Sequence, residues 1–329
     1  MDTSFYTQTL LCSILLYIAA CVFYTWRTIV PKADSRWIAA RIFLSAGLLV
    51  QTVNWIWRWN FSGQPPYVYL DEMTIFLVWC MVLGYVVFEY TTGHKFPGAV
   101  IAALAFLGLG YASMIGSPVP RPLVPALQSY WLKIHVMCYL IGYGFAALGY
   151  IVSLFHLSRQ PNQNRVFGRI VFALTVGLVT SISVHLAFFS NDDKSVRDLN
   201  WYFAALVCAA IYVLISYFMK GRAAVELPEA DTMYNLNYHS VAMAYPFLTF
   251  GIITGAIWAN EAWGRYWGWD PKENWALITW LVYGLYLHLH LNTKWRTAGT
   301  VWVSVVGFWA LVFTWLGVNY LLSGLHSYA

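Results

Sequence analysis

A chain of 329 residues that is 60% hydrophobic and only 10% charged is not a soluble globular domain, in which about 25% of residues carry charge. Its net charge of +5 reflects basic connecting segments and calls for no nucleic-acid partner. The five cysteines, Cys12, Cys21, Cys80, Cys138 and Cys208, all lie in apolar runs and form no Cys-x-x-Cys pair; this argues against a disulfide scaffold, a thiol-redox role or a covalently attached haem.

A membrane span needs about 20 mostly apolar residues. Ten segments qualify, near 8–26, 37–57, 69–89, 97–115, 131–157, 168–189, 200–219, 240–259, 272–291 and 298–320. The expected fold is all-α: a polytopic transmembrane helix bundle of about ten spans in a lipid bilayer. The first run has no basic segment ahead of it and reads as a retained span rather than a cleavable signal peptide. Residues 1–130 carry N-terminal spans without a recognisable motif; residues 131–329 carry every feature that points to chemistry. Of the nineteen Lys and Arg, twelve fall at one set of alternate ends and seven at the other. The richer set is expected on the cytoplasmic side or its equivalent, which turns both termini and the 263–275 connection outward.

His94 and His156 fall at inner ends of spans and read as interfacial or solvated residues. His135 falls near the outer end of the fifth span. The polar loop 190–198 joins the sixth and seventh spans on the outer side. His185 and His239 read as structural or interfacial.

The densest feature is WGRYWGWDPKENW over 263–275. Trp263, Trp267, Trp269 and Trp275 stand among two glycines, the cations Arg265 and Lys272, and the carboxylates Asp270 and Glu273. Flat aromatic surfaces beside cations suit a large planar ligand with acidic groups, and haem is such a ligand: rings cover the macrocycle while Arg or Lys pairs with propionates. Trp and Tyr also gather at membrane interfaces for no other reason. Asp270-Pro271-Lys272-Glu273 equally reads as a helix start, with Asp270 as N-cap, Pro271 first and Glu273 third. If that helix begins at Pro271, His288 lies about 26 Å along it, near the inner edge of the bilayer core, and His290 points to nearly the opposite face. His326 follows the last span on the outer side. The topology therefore sets His135 and His326 at the level of the tryptophan stretch, where the two imidazoles could ligate one iron from opposite faces.

The 263–275 stretch, with the flanking segments 251–262 and 276–288, resembles the WWD signature of haem-handling membrane proteins. Within that group it is most similar to the CcsA (ResC) family of system II cytochrome c biogenesis. The resemblance covers about 240–291, and the Gly324-Leu-His-Ser-Tyr ending is also family-like. It implies that His135 and His326 are outward-facing axial ligands and that His288 is a transmembrane ligand of a second haem. It also implies a CcsB/ResB-like membrane partner that supplies the other ligand to His288. Members read as around eight spans, so the segments near 168–189 and 200–219 are extra; an inserted pair preserves the orientation of the later spans.

The resulting expectation is a haem-handling subunit of a cytochrome c synthase. It would carry haem b, bound non-covalently, to the outer face and present it to apocytochrome c for thioether attachment. The cofactor-binding residues would be Trp263, Arg265, Trp267, Trp269, Asp270, Lys272 and Trp275; the iron ligands would be His135, His326 and His288. The membrane would be a bacterial cytoplasmic membrane or a plastid thylakoid, with the tryptophan stretch periplasmic or lumenal. Two rivals stand beside it: CcmC-like haem delivery to a chaperone, and a transporter or assembly subunit without haem.

Overall fold

The computed structural model describes residues 3–29, 35–117, 119, 121, 123, 125–159, 227–292, 295, 298–322 and 324. No strand occurs among them. Helices α1 (Ser4–Ile29), α2 (Ser35–Ser62), α3 (Leu70–Thr92) and α4 (Gly98–Ile115) form the first half. Helices α5 (Tyr130–Arg159), α6 (Ala230–Trp263), α7 (Pro271–Leu291) and α8 (Ala298–Val312) form the second; α8 runs on through a π turn at Phe313–Gly317 into the single turn α9 (Val318–Leu321).

Seven helices, α1 to α6 and α8 with its π turn, are long and apolar enough to cross a membrane, so the chain is an integral membrane protein. The expected count of about ten is not reached among the described residues. The segments near 168–189 and 200–219 lie outside them, together with His185, Cys208 and the 190–198 loop. Helix α7 is 21 residues long, about 31 Å at 1.5 Å per residue. Its Trp, Tyr and His residues lower its hydropathy. Helix α6 begins at Ala230, ten residues ahead of the expected start at 240: its first turns bury Met233, Tyr234, Leu236 and Asn237 while Asp231 and Asn235 stay exposed.

Two bodies of packing meet in the bundle. Tyr17, Tyr24, Leu44, Tyr85, Ile101 and Leu109 centre a core shared by α1 to α4. Inside it, polar pairs satisfy one another: Tyr17 OH donates to Gln51 Oε1 at 2.6 Å, and Tyr24 OH to Glu89 Oε2 at 2.6 Å. The second body is built on the antiparallel pair α5–α6. Gly149 of α5 sits against Ser240 and Val241 of α6, and buried Asn237 donates to Ser153 across the pair. Small residues let the backbones approach, and a buried amide satisfied across the interface fixes their register. The described helices alternate in direction, so the starts of α1, α3, α5 and α7 share one end of the bundle. The chain leaves α5 and enters α6 at the other end.

Candidate functional site

The tryptophan stretch is organised by two helix caps. Helix α6 stops at Gly264, whose backbone is left-handed (φ 73°) and whose N–H donates to Asn260 O at 2.9 Å; a residue without Cβ takes this conformation at no steric cost. Six residues later α7 starts in the manner its sequence announces. Asp270 is the N-cap and Pro271 the first helical residue, and Glu273 completes a capping box. Glu273 Oε2 accepts from Gly268 N at 2.8 Å and from Asp270 N at 3.1 Å. Its carboxylate therefore holds the turn that displays Trp267 and Trp269. Asn274 Nδ2 adds a bond to Trp269 O at 3.1 Å. Trp269 itself has φ 57°, a conformation that costs a bulky residue about 1–3 kcal/mol and persists where surrounding bonds impose it.

Beneath this turn lies a cavity of about 450 Å³, within the range of small-molecule and cofactor sites. Trp267, Tyr266, Lys272 and Glu273 form one wall. His135, Tyr139 and Tyr143 of α5 line it, as do Gly255 and Trp258 of α6 and Thr314 and Trp315 at the π turn. Met73 and Asp71 of α3, Tyr111 of α4, and Arg121 in the α4–α5 connection also contribute. Residues on both sides of position 130 thus build it.

His135 is held from three sides. Its Nδ1 lies 2.8 Å from Gly251 O; since a carbonyl only accepts, Nδ1 carries the proton, and the lone pair of the neutral ring sits on Nε2. The ring stacks on Trp258 (5.8 Å, 27°) and meets Tyr139 edge-on (4.9 Å). Gly255 makes the approach possible: a Cβ there would sit 2.5 Å from His135 Nδ1. Trp258 is fixed in turn by its Nε1 bond to Ala126 O at 2.9 Å. A tautomer set by a backbone acceptor is the arrangement that prepares Nε2 to ligate a metal.

The other expected site residues are spread over the cavity, its supports and its surroundings. Trp267 and Lys272 line the cavity. Trp263 packs on Trp258 at 4.8 Å, and Trp275 on Phe313 at 4.3 Å, so both support the wall from behind. Trp269 is 71% exposed and meets Trp267 edge-on. Arg265 is exposed, its guanidinium lying over Gly268, and it does not line the cavity. Asp270 is buried at the cap, and Gly324 rests on it so closely that a Cβ would meet its carboxylate. This brings the chain to the cap two residues before His326, which itself lies outside the described residues.

At the far end of α7, His288 is exposed on the outer face of the helix. His290 turns inward instead, buried and stacked on Tyr238 (3.7 Å) and Tyr234 (4.9 Å). The two do point to opposite faces, but the residue that enters the bundle is His290. His156 is buried rather than solvated, 6.2 Å from the same Tyr234.

Sequence reasoning missed the first-half contribution to the cavity. Asp71 and Arg121 pair across fifty positions, and no local pattern reports such a contact. Trp258, by contrast, lies within a segment that already carried the resemblance.

A family model described as Cytochrome C assembly protein matches residues 67–326. The cytochrome c biogenesis protein CcsA of Trieres chinensis is 34% identical over 276 residues, covering 82% of this chain and 80% of that protein. CcsA of Synechococcus sp. (strain RCC307) is 32% identical over 301 residues, 91% and 86% of the two chains. CcsA of Gloeobacter violaceus is 32% identical over 278 residues, 82% and 80%.

Proposed function

Because this chain belongs to the cytochrome C assembly protein family, we propose that it is the haem-handling subunit of a system II cytochrome c synthase, which seats haem under the tryptophan turn and presents it to apocytochrome c. The observation that carries this reading is the cavity itself: an imidazole with its Nδ1 proton fixed, aromatic walls, and basic side chains at the same level. A flat apolar macrocycle with an iron and acidic edges matches each of these features. His135 Nε2 is the proposed axial ligand on one face, and His326 the ligand on the other. The contact of Gly324 with Asp270 supports the second assignment, since it delivers the terminal segment to the loop.

In the reaction, each apocytochrome thiol adds across a haem vinyl group. The S–C bond forms at one vinyl carbon, the thiol proton ends on the other, and no electrons are consumed. This chain's share is positioning: the cap of α7 and the stacked walls hold the macrocycle with one edge toward the incoming peptide. The count of Lys and Arg at alternate span ends along the sequence, twelve against seven, supports an orientation with the cavity on the periplasmic or lumenal side.

His288 is proposed to ligate a second haem lower in the membrane. An imidazole on the outer face of a membrane helix is costly without a partner. Its exposure supports a ligand from a neighbouring CcsB/ResB-like protein over one from this bundle.

The test is an ultraviolet–visible spectrum of the detergent-purified protein. Wild type is expected to show a reduced low-spin haem spectrum, altered or weakened in both His135→Ala and His326→Ala and restored in part by added imidazole. Normal holocytochrome formation by either variant would sink the ligand assignment.

A further inference from the structure

We infer that Trp269 is a docking residue for the apocytochrome segment that carries Cys-x-x-Cys-His: its indole stands at the mouth of the cavity and takes the peptide, while Trp267 faces the macrocycle. The assignment rests on the haem reading above and divides the tryptophan turn between the two substrates.

Tyr266 marks the mouth, since it lines the cavity and is 60% exposed. Trp267 follows it in the lining, and Trp269 does not line the cavity. Trp269 is 71% exposed and meets Trp267 edge-on, with ring centroids 6.0 Å apart and planes at 85°. One ring of the pair is turned to the cavity and the other stands outside beside it. An extended peptide rises about 3.3 Å per residue, so two residues cover the distance between the rings. A segment that brings a thiol to the macrocycle edge under Trp267 therefore still touches Trp269.

Lipid anchoring does not account for this placement. An interfacial Trp needs only to face the headgroups. Trp269 lies past the last residue of α6, Trp263, and before the first of α7, Pro271, and its backbone is left-handed at φ 57°, a costly conformation for a bulky residue. Both sides of it impose that conformation. Glu273 Oε2 accepts from the flanking Gly268 and Asp270 amides, and Asn274 Nδ2 donates to the Trp269 carbonyl. Two side chains thus fix a large ring in the open, where its backbone is ordered before a partner arrives and little freedom is lost on binding. A rigid, exposed indole is the kind of side chain that anchors a peptide at an interface.

The experiment uses the purified full-length protein in detergent. Haem b affinity is read from the Soret band. Peptide affinity of the haem-loaded protein is read from the fluorescence anisotropy of a dye-labelled Cys-x-x-Cys-His peptide whose two cysteines are replaced by serine, so that no thioether forms. Trp269→Ala is expected to weaken peptide binding about tenfold or more, as for an interface anchor, and to leave haem affinity at the wild-type value; Trp269→Phe should keep part of the peptide affinity. Trp269→Gly relieves the left-handed backbone, so it should unfold at a temperature no lower than Trp269→Ala and yet bind peptide as poorly, which separates docking from stability. Unchanged peptide affinity in Trp269→Ala, the result of an indole that only anchors lipid, overturns the assignment. So does a fall in haem affinity that matches the fall in peptide affinity, or a wild type that binds no peptide. No Soret band in wild type overturns the haem reading instead.

Discussion

At the scale of single residues, His135 depends on the groups that face it. Its orientation is set by a carbonyl on α6 and by the missing side chain of Gly255 four residues further on. Gly255→Ala inserts a Cβ where Nδ1 and Cε1 now lie, so the ring must turn and the bond to Gly251 O must break. Overpacking of this kind typically costs about 1–3 kcal/mol, which leaves a folded protein. The expected outcome is a soluble-in-detergent, monodisperse variant whose haem spectrum matches that of His135→Ala; a wild-type spectrum would mean that the Gly255 contact does not govern the ligand. Glu273 has an analogous role in the turn. It reads from sequence as a helix-start residue, and it is one, but the same oxygen holds Gly268 N and so gives Trp267 its place over the cavity.

At the scale of elements, α7 carries opposite fates on its two faces. His290 is stacked on two tyrosines of α6, whereas His288 projects outward. His290→Ala should lower stability by about 2–4 kcal/mol, as expected for loss of a buried ring, while His288→Ala should stay within about 0.5 kcal/mol. Thermal unfolding of the purified protein compares them, and equal destabilisation would contradict the burial pattern. Much of α7 is legible in the sequence. Asp270-Pro271-Lys272-Glu273 fixes its start because a cap is a local interaction, readable over four residues. Helical period separates His288 from His290, but which face meets α6 depends on packing between elements far apart in sequence. The same limit hid Asp71 and Arg121: each is an unremarkable charged residue near a span end, and only the fold joins them. The start of α6 was missed for a different reason. Its first turns carry Asp231, Asn235 and Asn237, which hydropathy counts against a span although Asn237 is buried against α5.

For the whole molecule, alternating helix directions set the tryptophan turn at one end and the starts of α2, α4, α6 and α8 at the other. In the proposed orientation, the bias of Lys and Arg along the sequence puts the tryptophan turn on the outer side. A Tyr266→Cys variant should react with a membrane-impermeant maleimide added to intact cells, above the background of the native cysteines. Thr91→Cys, exposed at the other end, should react only after permeabilisation. The reverse pattern would invert the proposed direction of haem movement. The membrane-spanning helical character is what the sequence reports at this level, since length and apolarity of a segment need no tertiary contacts. Of the ten expected spans, 272–291 is the helix α7, whose aromatic and histidine content keeps it below the hydropathy of the other seven, and 168–189 and 200–219 lie outside the described residues.

The cap of α7 has a kinetic meaning as well. Asp270 starts the helix on one side and bears Gly324 on the other with no space between, so the turn and the approach to the C-terminal end share one anchor. On the haem reading proposed above, a turn anchored in this way is in place before haem arrives. Stopped-flow loading is then expected to be a single exponential whose rate rises linearly with porphyrin concentration; a rate that levels off would mean that a slower rearrangement gates the site.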